Sequence, residues 1–284
     1  MNEMVLKSLH SDIERWLSED DLHRNHHYLR SLPETPVKAV LKFKSDMVLA
    51  GTDYFSAVFH YLGLSSENFF ELMKLEGKSL KAGEEFNFGF EIPFNIIVNA
   101  ERLALNLLQE ASSIATWTRK HQSILEGKGI ALLDTRKTTP GLRTLQKYAV
   151  KIGGGSNHRL GQADVWMIKD NHKTSLGGLK GAWEFFQGQK TFYQNTVVEI
   201  HDLSELKEAM ELGIKHVMLD NFSPDKIREA VAIKKAGMTY EVSGGLNLLT
   251  LKDYLIDGVD ALSMGSLTYS APRVDISLKY GVKS

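Results

Sequence analysis

The sequence predicts an α/β protein with an amino-terminal α+β domain followed by a (β/α) barrel, complete or partial. Two observations lead to this fold class. Six short apolar segments alternate with helical segments in the second half of the chain, as parallel strands covered on both faces do. None of them ends in the GxGxxG turn of a doubly wound sheet. The segments are IALLD, VWMIKD, TVVEI, HVMLD, TYEVSGG and ALSMGS.

The first half mixes helical and strand patterns. Apolar residues at three- and four-residue spacing predict a helix over 6–17, with an acidic stop at 19–21. Alternation from Pro36 to Phe43 predicts a half-buried strand. The elements expected next are a strand at MVLAG, a helix over 54–62, and strands at FFELMKLEG and EFNFGFEI.

A long helix predicted over 94–119 connects the two halves. Pro93 presets its first turn, and its length favours a bridge between domains. We therefore expect one domain over 1–110 and the barrel over 111–268, with the tail of about 269–284 packing on the first domain. Between the later strands, LSELKEAMELG and PDKIREAVAIKKAG are expected to be amphipathic helices.

Composition excludes several classes of function. The 34 Lys and Arg against 35 Asp and Glu give a net charge of -1. The chain as a whole therefore has no positive electrostatic field that would attract nucleic acid or an anionic membrane. Without cysteine, disulfides, thiolate metal sites and cysteine nucleophiles are ruled out, and a reducing cytoplasm is suitable. No apolar run is long enough to span a bilayer. The three histidines of HRNHHY at 23–28 are expected in a solvated loop, because no further ligand stands at metal-site spacing.

Polar residues follow strand after strand in the predicted barrel. The carboxyl ends of barrel strands open onto one face, where active sites lie. A single Asp or Glu after a strand is most often the N-cap of the next helix. Capping becomes a weaker explanation as the number of polar residues at strand ends grows. The residues concerned are Asp134, Lys169, Asp170, Glu199, Asp220, Ser243, Gly244, Gly245 and Gly265.

A basic cluster lies in the same region. Residues 136–173 hold eight Lys and Arg but two acids, within a nearly neutral chain. A solvated helix face explains Arg143, Lys147 and Lys151, whereas Arg136 and Arg159 beside turns favour an anion clamp. The turns SGG at 243–245 and MGS at 264–266 leave backbone N–H groups free for a phosphate. Together these features predict a small, multiply negative, phosphorylated ligand.

The stretch LLDTRKTTPGLRTLQKYAVKIGGGSNHRLGQADVWMIKDNH closely resembles the quinolinate phosphoribosyltransferase family. ERLALNLLQEASSIAT, VVEI, VMLDN, VSGGL and SMGSLT resemble its other blocks in the same order, so the resemblance covers about residues 94–278. It implies an amino-terminal α/β sandwich domain, an open barrel of TIM type and a homodimer or larger assembly. It also implies an enzyme of NAD biosynthesis that converts quinolinate and phosphoribosyl pyrophosphate, with magnesium, to nicotinate mononucleotide, pyrophosphate and CO2.

The resemblance also implies roles for individual residues. Lys137, Lys169, Glu199 and Asp220 match catalytic residues, and Glu199 and Asp220 are expected near the magnesium ion. The quinolinate site is matched by Arg102, Arg136, His158, Arg159 and Lys169, with Arg102 reaching it from the partner subunit. The phosphoribosyl pyrophosphate site is matched by Lys137, Glu199, Asp220, Ser243, Gly244, Gly245 and Gly265.

Two departures and two alternatives accompany the resemblance. The acidic block at 19–21 runs into LHRNHHYLRSLPE where the family has a GDxT turn, and Tyr269 stands where the family usually has His. One alternative is the related phosphoribosyltransferase-like protein associated with molybdate transport. The other is a non-catalytic anion-binding protein, although retention of both Glu199 and Asp220 disfavours it.

Overall fold

The computed structural model of the chain describes residues 3–20, 28 and 31–281. HRNHHY lies outside the described residues except for its last position, so its expected loop conformation stays a prediction. The chain forms two compact units. The first comprises Met1–Arg119, Thr139–Gly154 and Ser270–Ser284, and the second comprises Lys120–Thr138 and Gly155–Tyr269. The domain boundaries expected from the sequence also stay a prediction.

The strands in chain order are β1 (Pro36–Phe43), β2 (Met47–Val48), β3 (Ser79–Leu80), β4 (Glu85–Pro93), β5 (Ala131–Leu133), β6 (Trp166–Ile168), β7 (Thr196–Ile200), β8 (His216–Asp220), β9 (Thr239–Ser243), β10 (Ala261–Ser263) and β11 (Ile276–Gly281). The α-helices are α1 (Glu3–Leu17), α2 (Thr52–Tyr61), α3 (Phe70–Met73), α4 (Phe94–Leu125), α5 (Arg143–Ile152), α6 (Asp170–Ser175), α7 (Leu179–Gln189), α8 (Leu203–Glu211), α9 (Pro224–Ala232) and α10 (Ser266–Tyr269).

The first unit is built on an antiparallel sheet in the order β11-β1-β4. Strand β1 buries Val37, Ala39, Leu41 and Phe43, which confirms the half-buried strand predicted from the alternation. Strand β11 pairs with β1 from Lys38↔Gly281 to Phe43↔Ile276, so the last strand among the described residues forms one edge of this sheet. Helix α1 is confirmed over its predicted range.

The strand predicted at FFELMKLEG is wrong. A 3-10 turn over Ser66–Phe69 leads directly into the short helix α3. Ser65 begins the turn by accepting the backbone N–H of Glu67 at 3.3 Å. The buried residues Phe69 and Leu72 are three positions apart, which is a helical spacing rather than the period of two that a strand needs.

The expectation of a solvated face on helix α5 is wrong at one position. Lys147 is 3 % exposed, and its neighbour Gln146 is buried and donates to Glu110 Oε1 at 2.6 Å. Tyr148 on the same helix donates to Glu76 Oε1 at 2.8 Å. Helix α5 therefore packs within the first unit, and part of the basic cluster is structural.

The second unit is a six-stranded parallel sheet in the order β5-β10-β9-β8-β7-β6. Its strands coincide with the six predicted segments. An isolated parallel bridge, Leu133↔Ser156, continues the sheet on the other side of β5. In the described part of the chain, no strand pairing joins Ser156 to β6, so the barrel is open there. The α+β amino-terminal domain and the open TIM-type barrel are thus confirmed.

Among the described residues, no helix is both long and apolar enough to cross a bilayer.

Candidate active site

A cavity of about 790 Å³ lies in the second unit at the carboxyl ends of its strands. The structure brings together there the residues of this unit that were predicted to bind substrate or to take part in catalysis. They are Arg136, Lys137, His158, Arg159, Lys169, Glu199, Asp220, Ser243, Gly244, Gly245 and Gly265. Arg102, the remaining predicted site residue, belongs to the first unit, where it is exposed on helix α4.

The register of the strands determines how deep each polar side chain lies below the carboxyl-terminal end of the sheet. Asp220 is paired with Ser243, which is paired in turn with Ser263 across β8, β9 and β10. Glu199 pairs with Met218, two residues before Asp220, and therefore lies one layer deeper. Glu199 is 7 % exposed, whereas Asp220 is partly accessible. The cavity therefore has a buried carboxylate in its wall and a second one nearer the mouth.

Two guanidinium groups lie on the wall formed by the segments after β5 and before β6. Arg159 Nη1 donates to the carbonyl oxygen of Val165 at 3.0 Å, and Arg136 Nε is buried without a hydrogen-bond partner among the described residues. Burial, together with the charge of Arg136, lowers the pKa of Arg159 below its usual value. Two neighbouring cations that repel each other stabilise a bound anion, and most strongly a dianion.

The loop that presents His158 and Arg159 is held by a buried acid. Asp134 is 0 % exposed, and it accepts the backbone N–H of His158 at 2.9 Å and the side-chain amide of Asn157 at 2.6 Å. Asp134 was one of the strand-end residues expected to face the site. Its role in the structure is to fix the loop, and it does not line the cavity.

A second wall, formed by residues after β6 and in β7 and β8, is acidic and contains an ion pair. Lys169, directly after β6, donates to Glu199 on β7. His201 lies beyond this pair, with its Nε2 2.5 Å from Asp170 Oδ1 and 3.5 Å from Glu199 Oε1. Burial would raise the pKa of Asp170, but the hydrogen bond from Lys173 and the charge of His201 lower it below its ordinary value. His201 was not anticipated, although it follows directly on VVEI.

Lys173 contributes to the basic cluster in sequence but not to the cavity lining. Its side chain is buried and donates to both carboxylate oxygens of Glu205 at 2.8 and 2.9 Å. A third contact, 3.1 Å long, goes to the carbonyl oxygen of Glu199. Lys173 therefore holds the end of β7 in place and so positions the Glu199 side chain.

The glycine turns bring the backbone close to other groups that line the cavity. Gly244 has φ +96°, and a Cβ there would lie 2.2 Å from Asn221 Oδ1. Asn221 itself has φ 57° and donates its backbone N–H to the Ser243 carbonyl at 2.8 Å. At Gly265 a Cβ would lie 2.8 Å from Lys137 Cδ and from Tyr269 Cε1. Glycine is required at position 244, where the added Cβ would collide with the backbone and side chain of Asn221, whereas at position 265 the neighbouring side chains would have to move aside.

Some lining residues escape prediction because nothing in their type marks them as functional. Tyr269, noted as a departure from the family pattern, does line the cavity and is 64 % exposed. The lining residues that were not predicted as site residues are Thr135, Met167, Met218, Asn221, Leu246, Asn247, Ser263, Met264, Ser266 and Tyr269.

Comparisons with known proteins agree with this architecture. The model of the quinolinate phosphoribosyl transferase N-terminal domain matches residues 26–112, and that of the C-terminal domain matches residues 114–279. The chain is 37 % identical over 245 residues to a probable nicotinate-nucleotide pyrophosphorylase [carboxylating] of Bacillus subtilis, covering 86 % of this chain and 84 % of that protein.

A human relative and a solved structure extend the match over nearly the whole chain. The nicotinate-nucleotide pyrophosphorylase [carboxylating] of Homo sapiens is 34 % identical over 280 residues, which is 95 % of this chain and 91 % of the human one. The crystal structure of NadC from Streptococcus pyogenes superposes with a TM-score of 0.82 at 30 % identity, covering 98 % and 99 % of the two chains. Both domain models and these relatives lead to one assignment: the chain belongs to the quinolinate phosphoribosyl transferase family.

Proposed function

We propose that this chain transfers the phosphoribosyl group of phosphoribosyl pyrophosphate to quinolinate and releases CO2, giving nicotinate mononucleotide and pyrophosphate for NAD biosynthesis. The observation that supports it best is the division of one cavity into a cationic wall, with Arg136 and Arg159, and an acidic wall, with Glu199 and Asp220. The molybdate-transport-associated alternative is not favoured, since the matched family and relatives bear the name of this activity.

The cationic wall suits a pyridine dicarboxylate. Quinolinate carries two adjacent carboxylates, and the guanidinium groups of Arg136 and Arg159 offer two sets of paired N–H donors. His158 and Lys169 line the same cavity. With both carboxylates held, the ring nitrogen faces the ribose carbon in a fixed orientation, which lowers the entropic part of the barrier.

The acidic wall suits the ribosyl centre. As pyrophosphate leaves, the ribose carbon becomes oxocarbenium-like, and Glu199 and Asp220 stabilise that positive charge more than they stabilise the ground state. We assign the Lys137 ammonium, which lines the same cavity, to the departing phosphates. Ser243, Gly244, Gly245 and Gly265 present hydroxyl and backbone N–H donors to the 5′-phosphate.

The carboxylates of this wall fit a magnesium ion. Mg²⁺ prefers oxygen ligands and usually keeps several waters, so Glu199 and Asp220 are the side chains we assign to it. Donor atoms of Asp170, Glu199 and His201 lie within 4.8 Å of one another, which places a second carboxylate, Asp170, beside Glu199. When bound, the ion neutralises the charge that develops on the leaving pyrophosphate.

We further propose that the enzyme is a cytoplasmic homodimer with active sites shared between subunits, in which Arg102 serves the partner's site. Cysteine is absent, which suits a reducing compartment. In a symmetric dimer of one Arg102→Ala chain and one Lys137→Ala chain, one site carries both changes and the other carries neither. Mixing the two inactive proteins under subunit exchange should therefore restore about a quarter of wild-type activity.

The decisive experiment for the reaction is incubation with phosphoribosyl pyrophosphate, magnesium and quinolinate, nicotinate or nicotinamide in turn. Mononucleotide and CO2 are expected with quinolinate and not with the other two compounds. A substrate without the second carboxylate leaves one of the half-buried residues Arg136 and Arg159 without its anionic partner, at a cost of about 1.5–3 kcal/mol. Equal turnover of nicotinate would contradict the proposed substrate. Binding without turnover would instead favour the anion-binding alternative.

A further inference from the structure

Glu241 is a buried acid that the proposed reaction does not yet use. It lies in β9, two residues before Ser243 and therefore one layer deeper on the same face of the strand. It is 6 % exposed, and its register partners on the neighbouring strands are Met218 and Ala261, which bring no charge. A carboxylate in such surroundings is costly unless it holds a hydrogen-bond donor.

That donor is His158. Glu241 Oε2 lies 3.2 Å from His158 Nε2, and both side chains are nearly inaccessible to solvent. Glu241 Oε1 has no hydrogen-bond partner among the residues that the structure describes, so the imidazole is the contact that orients this carboxylate.

The other ring nitrogen of His158 faces the backbone. The N–H of Arg159 donates to His158 Nδ1 at 2.6 Å. An imidazole nitrogen that accepts a hydrogen bond cannot also carry a proton, so the proton of the neutral ring lies on Nε2. In that tautomer, Nε2 donates to Glu241 while Nδ1 accepts from Arg159, and both contacts form together.

We propose that Glu241 is a positioning residue for quinolinate binding, which acts by fixing the tautomer of His158 and through it the backbone of Arg159. The inference rests on the proposed function. Arg159 is held at two points, its backbone N–H by His158 and its guanidinium by the Val165 carbonyl oxygen at 3.0 Å. Without an acceptor at Nε2, the Nε2–H tautomer loses one of the two contacts that favour it, and the ring holds the first point less firmly.

Two substitutions of Glu241 distinguish the effect of its hydrogen-bond acceptor from the effect of its negative charge. Glu241→Gln keeps an oxygen that accepts from Nε2, whereas Glu241→Leu removes it. We expect Glu241→Leu to raise the KM for quinolinate about ten-fold and to leave the KM for phosphoribosyl pyrophosphate nearly unchanged, while Glu241→Gln restores most of the quinolinate affinity. Tyr240→Phe is the matched control, since it alters the adjacent buried residue on the opposite face of the strand.

A spectroscopic measurement tests the mechanism independently of activity. Nitrogen-15 NMR of the wild-type protein, with the His158 signals assigned from a His158→Gln variant, should show the Nε2–H tautomer. Glu241→Gln should keep this tautomer as the main form, and Glu241→Leu should shift part of the population to the Nδ1–H tautomer. A wild-type ring protonated at Nδ1 alone overturns the inference, and this result does not depend on whether Glu241→Leu folds.

The outcomes also separate this inference from the proposed function. If the wild type neither binds nor turns over quinolinate, the proposed function fails whatever the tautomer. If the wild type is active but Glu241→Leu keeps its quinolinate KM and the Nε2–H tautomer, the positioning role is wrong and the function stands. Equal rises in both substrate KM values, in Tyr240→Phe as well as in Glu241→Leu, would indicate a general packing defect and likewise overturn the inference.

Discussion

Arg136 and Arg159 are adjacent cations whose mutual repulsion is relieved when an anion binds. Replacing either with Ala removes charge-assisted hydrogen bonds to a buried carboxylate, so we expect the KM for quinolinate to rise by about ten-fold or more, with a smaller change in kcat. Steady-state kinetics at saturating phosphoribosyl pyrophosphate measures this. Arg228→Ala, which removes an exposed arginine paired with Asp225, serves as the control and should change neither parameter.

Glu199 and Asp220 are expected to behave in the opposite way. Their partner charge develops only during the reaction, so Glu199→Ala and Asp220→Ala should lower kcat about a hundred-fold or more while changing quinolinate affinity less. Glu199→Ala should have an additional effect, because it also releases Lys169 from its ion pair. Single-turnover kinetics and quinolinate titration separate the two parameters. Near-normal turnover in both variants would refute the assignment of the acidic wall.

At the residue scale, the sequence locates groups at strand ends but not groups within strands or loops that support them. Lys169 and Asp220 are recognisable because polar residues follow one strand after another in the barrel, which helix capping alone does not explain. Glu241 is not, since a single acid between Tyr240 and Val242 in a strand has no distinctive pattern. The structural role of Asp134 was missed for a related reason: its partners, at 157 and 158, are brought to it by tertiary folding.

Among the turns that position the site, the turn after β9 is the one where the structure requires glycine, at position 244. We expect Gly244→Ala to raise the KM for phosphoribosyl pyrophosphate and to lower the free energy of unfolding by about 2 kcal/mol, because the residue has φ +96° and its Cβ would collide with Asn221. Urea denaturation and kinetics measure the two effects.

Gly188→Ala is the matched control for that turn. Gly188 lies in helix α7 with no heavy atom within 4 Å of the added Cβ. This substitution should stabilise the protein by about 0.5–1 kcal/mol through helix propensity. If Gly244→Ala were equally harmless, the close approach of the turn to Asn221 would not matter for the site.

Helix α2 begins against a carboxylate from a distant part of the sequence. Glu76 accepts the backbone N–H groups of Gly51 and Thr52 at 2.8 and 3.0 Å and the Tyr148 hydroxyl at 2.8 Å. Glu76→Ala should lower the free energy of unfolding by about 3 kcal/mol, since several part-buried donors lose their acceptor near a helix N-terminus. Glu71→Ala, at an exposed ion pair, should cost less than about 1 kcal/mol. Equal losses in thermal or urea denaturation would contradict this account.

At the element scale, the parallel strands were predictable because burial on both faces leaves short runs that are almost wholly apolar. The segment at 69–77 was not, since its aromatic and aliphatic residues suit a strand and a short helix alike. The 3-10 turn that Ser65 caps leads the chain into the helix. Helix α4 extends to Leu125, beyond the predicted end at 119, because the polar residues near its end do not interrupt the helix.

The first unit of the molecule contains tyrosines whose pKa is raised above the ordinary value. Burial and the carboxylates of Asp12 and Asp53 raise the pKa of Tyr54 to about 12, and burial and the Glu101 carboxylate raise the pKa of Tyr280 to about 12. A raised pKa contributes stability that is complete below the ordinary value of 10.0 and is lost as pH rises through the folded value. We therefore expect the first unit to lose stability between about pH 10 and pH 12.

Urea denaturation at pH 8 and at pH 11 tests this expectation. Tyr280→Phe should be less stable than wild type at pH 8, because the hydrogen bond of 2.9 Å to Glu101 is lost, and should lose less stability on going to pH 11. Tyr61→Phe, on helix α2, is the control. A wild type and a Tyr280→Phe variant with the same alkaline loss would show that Tyr280 does not contribute.

The pairing of β11 with β1 has a consequence for biosynthesis. The residues that pair in this sheet lie far apart in the sequence, as Phe43 and Ile276 show. A ribosome releases β1 well before β11, so the edge of β1 that β11 covers stays unpaired until β11 emerges, exposed to chaperones and to strands of neighbouring nascent chains. The barrel strands β5 to β10 emerge between β1 and β11 and can pair with one another before β11 is made. A stop codon a few residues before Ile276 would therefore damage the amino-terminal sheet, far from the truncation in sequence.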